Sequence, residues 1–168
     1  MSASRLLRIA CMPAVMLAGV LSLAASAAFA NDRIAVHGDW SVFAAERQGK
    51  QVCWTATRAD PDVASGGLDS NTFGRMLILY TIGSNEFSVT ADGGSFGTNE
   101  GWIVVDGDSH ALFFQNNWAW LKNRAHESKV HAAFATASRG ELQIGGQTYV
   151  IKLRGFSAAV AAARSACQ

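Results

Sequence analysis

The sequence predicts a mainly β fold, an antiparallel β-sandwich or barrel-like domain with a C-terminal helix and room for one short internal helix. Three observations predict it. Short runs rich in β-branched and aromatic residues recur between breaks rich in Gly, Asp and Asn. Several of those runs, "MLILY", "WIVV" and "ALFF", are apolar throughout, as in strands covered on both faces. The chain closes on "GFSAAVAAARSACQ", an alanine-rich stretch with helical spacing that ends one residue after Cys167.

The elements follow in order. "IAVHGDWSVFA" (34–44) and "QVCWTATR" (51–58) flank the polar "ERQGK" and predict a first hairpin. "DPDVASGGLDSN" reads as a loop. "RMLILYTI" and "NEFSVTA" flank Gly83-Ser84, and Phe87 and Val89 alternate with Ser88 and Thr90 at the period of a half-buried strand. "DGGSFGTNEG" is a second loop. "WIVVDG" and "HALFFQN" form a pair around Asp108, and "ELQI" and "QTYVIKL" flank Gly145-Gly146, a two-residue hairpin signal. "RAHESKVHAAF" sets Val130 and Phe134 four apart on one helical face, while "AAFATAS" fits a helix or a strand equally well. In the last segment Phe156, Val160, Ala163 and Cys167 lie at helical spacing, with Ser157 as the expected cap.

The first thirty residues predict an address rather than a fold. Arg5 and Arg8 precede an uncharged apolar core, and Ala28-Phe29-Ala30 closes it before polar Asn31-Asp32-Arg33. That order describes a secretory signal peptide over 1–30 that is cleaved, leaving one domain over 31–168. Cys11 leaves with the signal. The full chain's formal charge of +1 becomes −1 once Arg5 and Arg8 are gone. The basic residues are scattered, which excludes a nucleic-acid footprint and a polybasic membrane patch. No later run is long and apolar enough to span a bilayer. In an oxidising compartment the two remaining cysteines, Cys53 and Cys167, predict a disulfide that staples the last helix to a strand near the start of the domain.

"GDWSVF" (38–43), "VCWTAT" (52–57), "NWAWLKN" (117–123) and "SRGELQIGGQTYVIKLRGFSAAVAAARSAC" (138–167) occur in order across most of the domain. This set resembles the invasion-associated locus B proteins of alphaproteobacteria. The resemblance implies an exported, virulence-associated protein with a small β-rich fold. It would be periplasmic, associated with the outer membrane, or secreted. It further implies a host-interaction or envelope-stress role through a protein or surface partner.

The sequence carries no signature of a catalytic residue, a metal site or a cofactor. His126 and His131 are five apart, which does not align them on one helical face, and His37 and His110 have no ligand-type spacing around them. "VDGDSH" fits a tight turn better than a calcium loop. No G-x-S-x-G elbow or phosphate-binding glycine loop occurs. The expected function is therefore a non-enzymatic binding protein. The alternative is a small-ligand-binding or hydrolytic periplasmic enzyme whose site only folding assembles. The candidate recognition surface is "FFQNNWAWLKN", where Trp118 and Trp120 share a strand face beside Asn117. Packing of both indoles against the core is the competing reading.

Overall fold

The computed structural model describes residues 32–61, 75–92, 95–97 and 100–168. The signal peptide expected over 1–30 and most of the first predicted loop lie outside the described residues.

Ten strands form one antiparallel sheet among these residues. They are β1 (Asp32–His37), β2 (Trp40–Arg47), β3 (Lys50–Pro61), β4 (Met76–Thr81), β5 (Glu86–Ala91), β6 (Gly101–Val105), β7 (Asp108–Gln115), β8 (Trp118–Leu121), β9 (Arg139–Ile144) and β10 (Gln147–Lys152). A single 3₁₀ turn (Arg124–His126) leads into α1 (Glu127–Thr136), and α2 (Phe156–Ala166) follows β10. Eight strands close a barrel in the order β3-β10-β9-β6-β7-β8-β5-β4 and back to β3. Closure leaves none of those eight with a free edge along its whole length. The predicted "sandwich or barrel-like" domain is thus a barrel.

β3 makes closure possible because it is long. Residues 50–56 pair with β2, while Ala59, Asp60 and Pro61 pair with β10 along the same edge. Residues 54–59 pair with β4 along the other edge. The β1–β2 hairpin therefore extends the sheet past the barrel wall. The sequence run 34–44, read as one strand, is broken at Gly38-Asp39. Gly38 has φ +58°, and a Cβ there would collide with the backbone of Arg154. The third hairpin turns on Asp106-Gly107, both with positive φ, and Asp108 already opens β7. Positive φ at both central residues suits the right-handed twist of the flanking strands.

Alternation sorts each strand between the two walls. Trp40, Val42 and Ala44 of β2, Ile78 and Tyr80 of β4, and Phe87 and Val89 of β5 point inward and are buried. Ile103, Leu142, Ile144 and Ile151 of the remaining strands join them, and the helices add Val130, Phe134, Phe156 and Val160. Phe156 of α2 sits at the centre of an aromatic cluster, 4.9 Å from the ring of Trp40, 5.6 Å from Phe134 and 5.7 Å from Tyr80. Full burial of a phenylalanine of this kind stabilises by about 1.5–3 kcal/mol. Trp40 also donates its indole N–H to the Lys152 carbonyl at 3.1 Å, so the ring is buried without an orphaned donor.

The ambiguous "AAFATAS" is helical to Thr136 and turns extended at Ala137. Ser157 does not cap α2. Its Oγ donates to the Ala135 carbonyl at 3.4 Å. The position before the helix is Gly155, at φ +93°, where a Cβ would strike the His37 backbone. Tight approach of the β1–β2 turn, reinforced by Asp39 N–H donating to the Arg154 carbonyl at 2.9 Å, is what selects glycine here. The far end of α2 is held by the Cys53–Cys167 disulfide, with Cα atoms 6.0 Å apart and a separation of 114 in sequence. The predicted staple is present.

Candidate functional site

The outer wall of the barrel carries the side chains that alternate with the core. On β2, β3, β4, β5, β8 and β7 that wall is unusually apolar. Strand register orders it into three rows. Arg33, Phe43, Trp54 and Thr81 form one, Ser41, Ala56, Leu79, Ser88, Trp120 and Phe113 the next, and Arg58, Leu77, Thr90 and Trp118 the third. Small residues dominate the start of the middle row, and larger ones stand on either side. The result is a groove of about 770 Å³ across the strands, with Ala56 and Ser88 at its floor and Phe43, Trp54, Leu77 and Trp118 among its walls.

Trp118 and Trp120 lie here, on the outer wall and half-buried, with Ala119 between them fully buried. Their rings stack at 6.1 Å, and Trp120 stacks in turn on Phe113 at 5.3 Å. Phe113 is 45% exposed, so the ladder ends in solvent. On the other side of the groove Phe43 lies parallel to Trp54 at 5.6 Å, and the Arg47 guanidinium covers Trp54 at 5.9 Å. Asn117 is tied into the sheet. Its amide donates to the Ala91 carbonyl at 3.3 Å, and its own carbonyl accepts from Ala91 N–H and from the Thr90 hydroxyl. It pins the start of β8 to β5.

The rim is basic. Arg33, Arg47, Arg58 and Arg75 line the groove, against one acid, Asp39. Asp39 already faces Arg154 at 3.4 Å, and Arg75 is held by Asp92 at 2.7 Å. The backbone N–H and guanidinium of Arg75 together keep the Asp92 carboxyl below its ordinary range. Arg33, Arg47 and Arg58 form no salt bridge among the described residues. Sequence reading missed these arginines, together with Phe43 and Trp54 as outer-wall residues. They are far apart in the chain, and only the register brings them to one face. The alternation around Cys53 was the available signal, since an inward Cys53 forces Trp54 outward.

A second, polar cleft of about 360 Å³ lies between the β4–β5 turn, α1 and α2. Tyr80, Glu127 and His131 form its inner side, and Arg124 and Arg164 stand at its edge. Glu127 Oε2 accepts the Phe87 N–H at 2.9 Å, yet burial drives its carboxyl up to about 7, with Glu86 adding to the rise and Arg124 opposing it. His131 Nε2 is buried and has no hydrogen-bond partner, and burial lowers its pKa. No hydrogen bond joins that nitrogen to Glu127, Ser84 or Ser128. Nearby, His110 and His126 meet Nδ1 to Nδ1 at 3.2 Å, which requires one to donate and the other to accept. No group of three or more His, Cys, Asp or Glu side chains among the described residues could hold a metal ion. No helix among them is long and apolar enough to cross a membrane.

No protein-family model matches the chain, and no curated protein matches it in sequence. Its fold is similar to the crystal structure of invasion associated protein B from Bartonella henselae, with a TM-score of 0.55 and 14% identity over 79% of this chain and 95% of that one. The resemblance read from "GDWSVF", "VCWTAT" and the closing stretch therefore holds at the level of the fold.

Proposed function

We propose that this domain is a non-enzymatic exported envelope protein that binds a protein partner across the outer wall of its barrel. The observation that carries the reading is the inversion of that wall. Aromatic and aliphatic side chains line a groove where a solvated β-surface would be polar, and Arg33, Arg47 and Arg58, which form no salt bridge among the described residues, stand at its rim. Contiguous apolar surface of this kind marks interaction sites. Trp and Arg are the residues most enriched where binding energy concentrates. The partner that fits offers an apolar strip with acidic side chains beside it. Export is supported by the signal-like first thirty residues and by a disulfide that persists only where thiols are oxidised. Intact mass of the protein recovered from the periplasm should correspond to 31–168.

The domain spanning 31–168, immobilised and challenged with envelope extract, should capture a partner in a salt-sensitive manner. A Trp118→Ala/Trp120→Ala pair should abolish capture, and Arg33→Glu/Arg58→Glu should weaken it with less effect on stability. A partner held equally well by wild type and both variants overturns the reading.

The polar cleft favours a second reading, a hydrolytic enzyme. Glu127 and His131 line one cavity, and a carboxyl titrating near neutrality suits a general acid or base. Hydrolysis of a simple activated ester that His131→Ala removes would establish that reading. Turnover unchanged by His131→Ala and Glu127→Gln would eliminate it.

A further inference from the structure

We infer that the cleft between α1, α2 and the β4–β5 turn is a binding site for a small oxyanion, a carboxylate, sulfate or phosphate group. Two guanidinium groups converge on it from separate elements, Arg124 from the 3₁₀ turn and Arg164 from α2. Neither forms a salt bridge among the described residues, and Arg164 lies close enough to Tyr80 to oppose the rise that burial imposes on its hydroxyl. Arginine is the side chain whose planar fork of donors matches such oxygens. The remaining lining is polar, with Ser84, Asn85 and Ser128, while the Tyr80 hydroxyl donates its proton to Asn85 Oδ1 at 3.0 Å.

The buried His131 Nε2 is the second observation. A buried ring nitrogen without a partner is costly, and the cost is relieved by a ligand oxygen if the nitrogen is protonated. The cavity is large enough for a hydrated oxyanion and has little apolar lining, which argues against an acyl chain or an aromatic ligand.

One group opposes an anion, the carboxylate of Glu127. The charged and titratable groups around it are Glu86 from β5, Arg124 from the 3₁₀ turn, Tyr80 from β4, His131 from its own helix and Arg164 from α2. In its protonated form Glu127 removes the repulsion. Anion binding is therefore linked to proton uptake at Glu127, and at lower pH to uptake at His131. Below neutrality the site is open to an anion, and above it the ionised Glu127 disfavours one. This site is separate from the outer-wall groove. Sulfate has no bond for an esterase to cut, so its binding is read independently of both functional readings.

Isothermal titration of the 31–168 domain with sodium sulfate tests the inference, because sulfate keeps its charge across the pH range used. Saturable binding at pH 6 should weaken several-fold, to a limit of about tenfold, by pH 8, as linkage to one proton with a pKa of about 7 requires. Arg124→Gln and Arg164→Gln should each reduce affinity at pH 6 about tenfold or more, as expected for loss of a charge-assisted contact. Glu127→Gln keeps an acceptor for Phe87 N–H and should hold the pH 8 affinity near the pH 6 value. In the wild-type protein, sulfate at pH 6 should shift the His131 ring and Phe87 amide resonances, a readout that does not depend on any variant folding. Absence of saturable binding at pH 6, or binding unchanged in the Arg124→Gln/Arg164→Gln double variant, overturns the site. An identical pH dependence in Glu127→Gln overturns the proton linkage. Acetate as a second probe separates planar carboxylate recognition from tetrahedral oxyanion recognition.

Discussion

Two aromatic assemblies face each other through the barrel wall. Inside, Trp40, Tyr80, Phe87, Phe134 and Phe156 meet at varied angles and are all at most 2% exposed. Outside, Trp118, Trp120 and Phe113 stack nearly parallel in a ladder that runs from half-buried to exposed. The residue types are alike, but the surroundings differ. The inner rings are contacted from both strands and helices, so removing one leaves a void that neighbours cannot fill. The outer rings rest on the sheet on one side and meet water on the other. Equal chemistry therefore buys unequal stability, and the outer ladder is free to serve recognition.

The largest expected effect lies inside. Phe156→Ala should destabilise the domain by about 3–5 kcal/mol, the usual cost of truncating a fully buried aromatic. Denaturant unfolding measures it. A loss no greater than that of an outer-wall variant would break the contrast.

Next comes the staple that holds α2 over the sheet. Cys167→Ser should cost roughly 2–5 kcal/mol, since the crosslink restricts an unfolded loop of more than a hundred residues. Two titratable thiols in native protein would contradict the pairing.

Glu127 gives a smaller effect with a defined sign. Its carboxyl rises from an ordinary 4.5 to about 7 in the fold, so the folded state holds the proton more tightly than the unfolded one. The stability this contributes is fully present below pH 4.5 and is lost as pH rises through about 7. Glu127→Gln should be close to neutral at pH 4.5. Its advantage should grow towards pH 7 and level off on the order of 1–2 kcal/mol above it, after allowance for screening of a half-exposed group. Thermal melts across pH 4.5–8.5 would show the divergence, and parallel curves would refute the assignment.

The smallest effects belong to the ladder. Trp118→Ala and Trp120→Ala should each lower stability by about 1 kcal/mol, mostly through the lost stacking. Losses of the size expected for Phe156→Ala would show that the outer wall is packed like the core and would remove the basis for recognition there.

Much of the fold was legible because it follows from local rules. Runs of β-branched and aromatic residues marked the strands, Gly145-Gly146 marked the last hairpin, and helical spacing marked α2. The boundaries that failed depended on neighbours far away. Nothing between 34 and 44 shows that Gly38 must admit the backbone of Arg154, so the β1–β2 break was invisible. Ser157 looked like a cap because capping residues are polar, but the approach of His37 made glycine at 155 the decisive residue.

The site divides in the same way. That Trp118 and Trp120 share a face follows from a period of two, and the pairing of Cys53 with Cys167 was readable as two cysteines left in a domain expected to be exported. Which face the tryptophans occupy was decided by closure of the barrel, because the buried side is wherever β5, β7 and β8 curl inward. The arginine rim and the Arg124–Glu127–His131–Arg164 cleft exist only after strands and helices distant in sequence are brought into register. Local periodicity is a property of a few adjacent residues and can be read from them. Burial, raised carboxyl pKa and convergent charge depend on which distant surfaces remove a group from water, and only the tertiary structure sets that.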